Sequence, residues 1–284
     1  MMINTRSLLE IHLAVILFGA AGLFGKLILL PSAVIVWGRV FFATVFLLCV
    51  LISCKQDNIR LNQKKDYILF VVSGLLLVIH WVTFFEAIKI STVAVGLLTF
   101  STFPVFVTFL EPYFFREKIQ LRDMITAIIT FLGVALVVPS LQLDNNTTQG
   151  ALWGMMSGFT FAVLSIFNRI YAKEYSSLKI AFYQQMIAAI VLSPFIFYQE
   201  PVFQFETILL LALLGVIFTG IAHSLFINSL KNISAQTASI ISSLEPVYGI
   251  IFAVLLLREV PSLREILGGM IILSAACYAT VTSR

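Results

Sequence analysis

An ionisable side chain in hydrocarbon costs several kcal/mol unless it faces protein or water, so each one inside an apolar run is a candidate for work on a substrate. Arg39, in Trp37-Gly38-Arg39, offers planar paired donors that suit a carboxylate or phosphate. The same group could instead brace the fold through a fixed ion pair or a clamp on carbonyls. Glu245 stands before Pro246 in another apolar run. A proline there removes a helical hydrogen bond and opens the backbone beside the carboxylate. Such a carboxylate could exchange a proton, pair with a substrate amine, or stay protonated and bonded to a neighbouring helix.

His80 and His223 add groups that titrate near neutral pH, with a plain cross-helix hydrogen bond as the alternative for each. His12 reads as interfacial. Glu111-Pro112 repeats the Glu-Pro dipeptide about two helical turns after Pro104. Glu111 is either an inner gate carboxylate or a helix-end residue that reaches water or Arg116. Glu86, three residues before Lys89, reads as half of a solvated rim pair. Trp37, Trp81, Tyr183 and Tyr248 each neighbour a polar candidate, so their rings could stack on a substrate or hold a quaternary ammonium. The candidates for substrate binding are therefore Trp37, Arg39, His80, Trp81, Tyr183, Gln184, Glu245 and Tyr248. Those for coupling or gating are His80, Pro104, Glu111, Glu245 and Pro246. Cys49, Cys54 and Cys277 lack metal-ligand spacing, so neither a metal nor a cofactor is expected.

Helices must position these residues. Of the 284 residues, 60% are hydrophobic and only 11% charged, which excludes a water-soluble domain. Apolar windows of spanning length fall at about 8–30, 32–54, 67–88, 91–114, 123–140, 150–171, 178–198, 206–230, 234–257 and 261–281. These predict an all-α integral membrane protein with ten transmembrane helices. The first run continues to Leu30 without a small-residue cleavage site and reads as a retained helix. With a cytoplasmic N-terminus, thirteen of the 18 Lys and Arg fall inside, which places both termini in the cytoplasm. The basic residues are scattered through loops, so nucleic acid is not a partner. Gly150, Gly154 and Gly158 form a small-residue stripe for close helix contact, within the chain or between copies, which leaves monomer and homodimer open.

An offset of 142 residues superposes Lys89 on Lys231, Pro104 on Pro246, Arg116-Glu117 on Arg258-Glu259, and Leu121-Arg122-Asp123 on Leu263-Arg264-Glu265. The chain then divides into 1–142 and 149–284, joined by the polar stretch 141–149. Five helices is an odd number, so the second repeat crosses the membrane in the opposite sense, the pattern of many secondary transporters.

Two five-helix halves, each with a proline, about ten apolar residues and Arg-Glu before the last helix, resemble the drug/metabolite transporter superfamily and its EamA-like ten-helix permeases. Arg39 early in the second helix fits the resemblance, whereas the second half offers Gln184 or Gln185 there, so the cavity is expected to carry that charge once. The resemblance implies a secondary carrier in the cell (inner) membrane for a small-molecule metabolite, amino-acid-like and exported by alternating access. A choline importer is the alternative, and a channel or scaffold a further one. No His-Glu-x-x-His, Gly-x-Ser-x-Gly or Walker loop is present, so an enzyme is not expected and energy must come from an ion gradient or solute exchange. Two intramembrane histidines and a buried glutamate favour protons over sodium.

Overall fold

A computed structural model describes residues 5–54, 60–115, 121–138, 142 and 144–282. Lys55, Arg116-Glu117, Lys118 and Arg284 lie outside these residues, as do the side chains of Cys54, Arg122, Asp123 and Cys277. Among the described residues every regular element is helical. The first repeat holds α1 (Thr5–Ala21), the short α2 (Phe24–Leu27), α3 (Ser32–Cys54), α4 (Lys64–Ile90), α5 (Val93–Phe100), α6 (Phe103–Phe115) and α7 (Leu121–Val137). The second holds α8 (Asn146–Tyr171), α9 (Ser177–Gln199), α10 (Phe205–Gly215), a π-helical turn (Val216–Ile221) and α11 (Ala222–Ser229). It continues with α12 (Ala235–Ser242), α13 (Glu245–Phe252), a second π-helical turn (Ala253–Leu257) and α14 (Leu263–Thr282).

Side-chain caps set several starts. Asn145 accepts from Thr147 N at 2.8 Å and Thr92 from Val95 N at 3.0 Å, each satisfying an amide that its helix leaves unpaired. Seven helical stretches are long and apolar enough to cross a membrane. The other three expected windows hold α7, the α12–α13 pair and α14. Large apolar side chains such as Ile68, Ile190 and Leu255 cover the exterior, while Arg39, Gln184 and Glu245 are buried. That arrangement suits lipid outside and polar groups satisfied within.

The repeat is visible in the backbone. Val93 and Ala235, Phe100 and Ser242, and Phe103 and Glu245, which bound the paired half-helices, are each 142 positions apart. Pro104 and Pro246 are second residues of their half-helices rather than mid-helix kinks. Proline's fixed φ and missing amide suit a first turn, so the helix breaks before it and restarts there. The repeats are inverted. Glu111, near the end of α6, meets the start of α12, and Glu259, just beyond α13 and its π turn, meets the start of α5.

The glycine stripe of α8 is used within the chain. A Cβ at Gly154 would lie 2.0 Å from Thr99 Oγ1, and one at Gly158 would lie 2.8 Å from the Phe100 carbonyl. Gly154→Leu must therefore push α8 away from α5. A loss of about 1–3 kcal/mol or more is expected, as a lower unfolding temperature in detergent and poorer yield. An unchanged unfolding temperature would show that this contact is not the one that packs the repeats.

Candidate functional site

Two helix contacts made close by glycine place Arg39. A Cβ at Gly38 would sit 2.8 Å from Leu211, and one at Gly215 would sit 2.7 Å from the Arg39 carbonyl, so α10 presses against α3 at this turn. Directly after Gly215 the helix widens into its π turn, where Thr219 Oγ1 donates to Leu214 O at 2.7 Å, five residues back. The same oxygen accepts from Arg39 Nε at 2.8 Å. π turns interrupt regular helices at functional positions, and this one delivers an acceptor to a buried cation. The guanidinium lies 3.9 Å over the Trp81 ring and 5.3 Å from that of Phe85. Its Nε is thus fixed and its charge lies against two rings, and among the described residues the guanidinium makes no other hydrogen bond.

Arg39 lines a central cavity together with Phe18, Ala21, His80, Trp81, Phe84, Phe100, Phe161, His223 and Glu245. Glu245 opens α13 and is only 4% exposed. Among the described residues its carboxylate makes no hydrogen bond and no direct ion pair with Arg39, although the two charges are within electrostatic reach. The first repeat has Phe103 at the equivalent position, so this charge occurs once. Among the described residues the cavity is mostly aromatic and carries one cation and one carboxyl.

The histidines are anchored. His80 Nδ1 is 2.8 Å from Ser157 Oγ, and its ring stacks on Phe161 at 4.7 Å. His223 Nε2 is 3.0 Å from Gln184 Oε1, and Gln184 donates in turn to Asn168 at 2.6 Å. His223 Nδ1 and both side-chain polar atoms of Gln185 have no partner among the described residues. The space open to the centre of a water molecule is about 20 Å3, enough for roughly one water. That is less room than a metabolite needs.

The structure thus brings Arg39, His80, Trp81 and Glu245 to one cavity, with Gln184 one hydrogen bond behind it. It places three other candidates elsewhere. Trp37 donates to Ser193 at 3.2 Å and stacks on Phe41. Tyr183 packs against Tyr67 and Phe70. Tyr248 sits against Gly19, where α1 meets α13. Glu111 lies at one end of the bundle, bonded to Arg169 and to the amide of Ala235 at 3.1 Å. Glu86 is held by the Ser32 hydroxyl at 2.6 Å and Lys89 by the Leu30 carbonyl at 2.5 Å, and the two charges lie within electrostatic reach of each other beside one surface pocket. Between α8 and α9, Tyr175 donates to Asp66 of the other repeat. Burial, and then this bond, push its phenol up, so it stays a donor at neutral pH.

Spacing had not pointed to Phe18, Phe100, Phe161, Thr219 or Glu259. Glu259 had a signal, since Arg258-Glu259 is part of the repeated motif. The phenylalanines had none among 26 of their kind.

A charged aromatic cavity between two inverted helical repeats suits a membrane transporter, and the family comparison names one. The profile of the EamA-like transporter family matches residues 6–138 and again 148–281, and the chain belongs to that family. It is a multi-pass membrane transporter. An uncharacterized transporter, YxxF, of Bacillus subtilis (strain 168) is 27% identical over 98% of this chain and 90% of its own length. The S-adenosylmethionine uptake transporter of Rickettsia bellii (strain RML369-C) is 23% identical over 88% of this chain and 84% of its own. One solved crystal structure, 16% identical, superposes with a TM-score of 0.74 over 99% of this chain and 98% of that one, which shows the shared fold.

Proposed function

We propose that the protein carries a zwitterionic, amino-acid-like metabolite by alternating access between its two repeats, with both termini in the cytoplasm. The observation that carries this reading is the central cavity in which the Arg39 guanidinium and the Glu245 carboxylate stand apart amid Trp81, Phe84, Phe100 and Phe161. Arg39 takes the substrate carboxylate through paired donors. Glu245 takes the ammonium, and the rings enclose the side chain. S-adenosylmethionine, the substrate in the Rickettsia relative's name, belongs to this class: it is an amino acid with a sulfonium and a purine that aromatic rings can stack against. Glu245 makes no hydrogen bond among the described residues, so proton and substrate amine can compete for it, and that competition couples transport to a proton gradient. Export rests on no particular residue. A carrier that alternates between two inverted repeats runs both ways, and the gradients set the net direction.

A quaternary amine such as choline fits less well. Choline has no carboxylate for Arg39, whose buried cation lies 3.9 Å over Trp81 and would stay without a counter-charge from the ligand.

A thermal-shift panel on the purified protein tests the reading, because a ligand at about 100 times its Kd adds about 2.7 kcal/mol to the state that binds it. S-adenosylmethionine, methionine or an aromatic amino acid is expected to raise the unfolding temperature, and choline to leave it unchanged. Stabilisation by choline alone would reverse the assignment.

A further inference from the structure

Building on the carrier reading, we propose that Glu111 and Glu259 are positioning residues of the transport cycle, each a latch that holds one end of the pathway shut by capping the other repeat's broken helix.

The first amides of a helix have no intrahelical partner, and a carboxylate is their strongest side-chain acceptor. Two half-helices here are capped by a carboxylate from the opposite repeat. Ala235 N, opening α12, donates to Glu111 Oε1 at 3.1 Å, and Val93 N, opening α5, donates to Glu259 Oε1 at 2.5 Å. Val93 and Ala235 are the positions that the 142-residue offset pairs, so the two contacts are counterparts at opposite ends of the bundle. Neighbours reinforce each one. Arg169 bonds Glu111, and Thr92 Oγ1 donates to Glu265 Oε1 at 2.8 Å beside Glu259. Arg258 holds the left-handed φ of 56° just before Glu259, a conformation strained for a non-glycine residue, and so turns the chain toward Val93.

The half-helices connect latch to cavity. Each has eight residues, a rod about 12 Å long. α5 runs from the Glu259 latch to Phe100 in the cavity wall. α12 runs from the Glu111 latch to the break after which Glu245 begins α13. With both caps in place the cavity has room for about one water. Releasing one cap frees one rod and opens one end, and the intact cap keeps the other end closed.

The test uses the full-length protein in vesicles, with its native cysteines replaced by serine and Ala21→Cys as a reporter in the cavity wall. A membrane-impermeant thiol reagent is added to one face at a time. Glu259→Gln is expected to raise labelling from one face by about tenfold and Glu111→Gln from the opposite face by a similar factor, the population shift that loss of one charge-assisted cap produces. Glu259→Asp and Glu111→Asp, which keep the charge, should fall between parent and Gln, and they stand in if a Gln variant does not fold. Equal labelling from both faces, or no change in either variant, would overturn the latches. S-adenosylmethionine or methionine should slow labelling in the parent. If neither does while the one-sided labelling persists, the substrate reading fails and the latches stand.

Discussion

Arg39→Ala is expected to lower the initial rate of substrate uptake into proteoliposomes by about 100-fold or more. A hydrogen bond to a charged group contributes about 1.5–3 kcal/mol, and a bidentate guanidinium–carboxylate contact makes two of them in parallel. Among the described residues Arg39 is also the one cation that lines the cavity, so its loss leaves the substrate carboxylate desolvated without compensation. Arg39→Lys should recover less than about a tenth of the rate. A lysine ammonium lacks the fork that meets Thr219 through Nε at 2.8 Å, with its carbon 3.9 Å over Trp81, while still presenting two donors. Wild-type rates in both variants would show that Arg39 braces the bundle and does not touch substrate.

Glu245→Gln comes next in size. Glutamine keeps the volume and removes the charge, so the helix break and the α1–α13 contact at Gly19 should survive. Uptake of a zwitterion is expected to fall about 10–100-fold, the cost of losing one charge-assisted bond in a water-poor site. The dependence of the rate on an imposed proton gradient should disappear with it, because the remaining ionisable cavity residues are Arg39 and two histidines already engaged with Ser157 and Gln184. An unchanged rate with an unchanged pH profile would remove Glu245 from both binding and coupling.

The residues that break a strong pattern could be read from the sequence. A charge or histidine in an apolar run stands out, and Arg39, His80 and Glu245 all line the cavity. The offset of 142 was equally legible, because loop charges and prolines must recur where two inverted repeats turn and break. What sequence adjacency did not provide was direction. Trp37 is two residues from Arg39, about 200° round a helix, and so faces away toward Ser193. Tyr183 is about 100° from Gln184 and joins a different aromatic cluster. Thr219 reaches Arg39 through a π turn, which shifts the register of every later residue and leaves no mark in a helical period. Phe100 and Phe161 are set apart from the lipid-facing phenylalanines only by tertiary contact with His80. The opening expected at Pro246 became a full break, Pro104 marks its counterpart, and those breaks explain how Phe103 and Glu245 come to start helices in the middle of the fold.

The central claim is that a zwitterion is carried between Arg39 and Glu245. Counterflow of labelled S-adenosylmethionine or methionine in proteoliposomes, run on the wild type and on Arg39→Ala and Glu245→Gln, tests it most directly. The account predicts saturable exchange in the wild type, competition by other zwitterionic amino acids, and near-background flux in both variants. Flux that rises linearly with concentration, or saturable exchange that both substitutions leave intact, would contradict it.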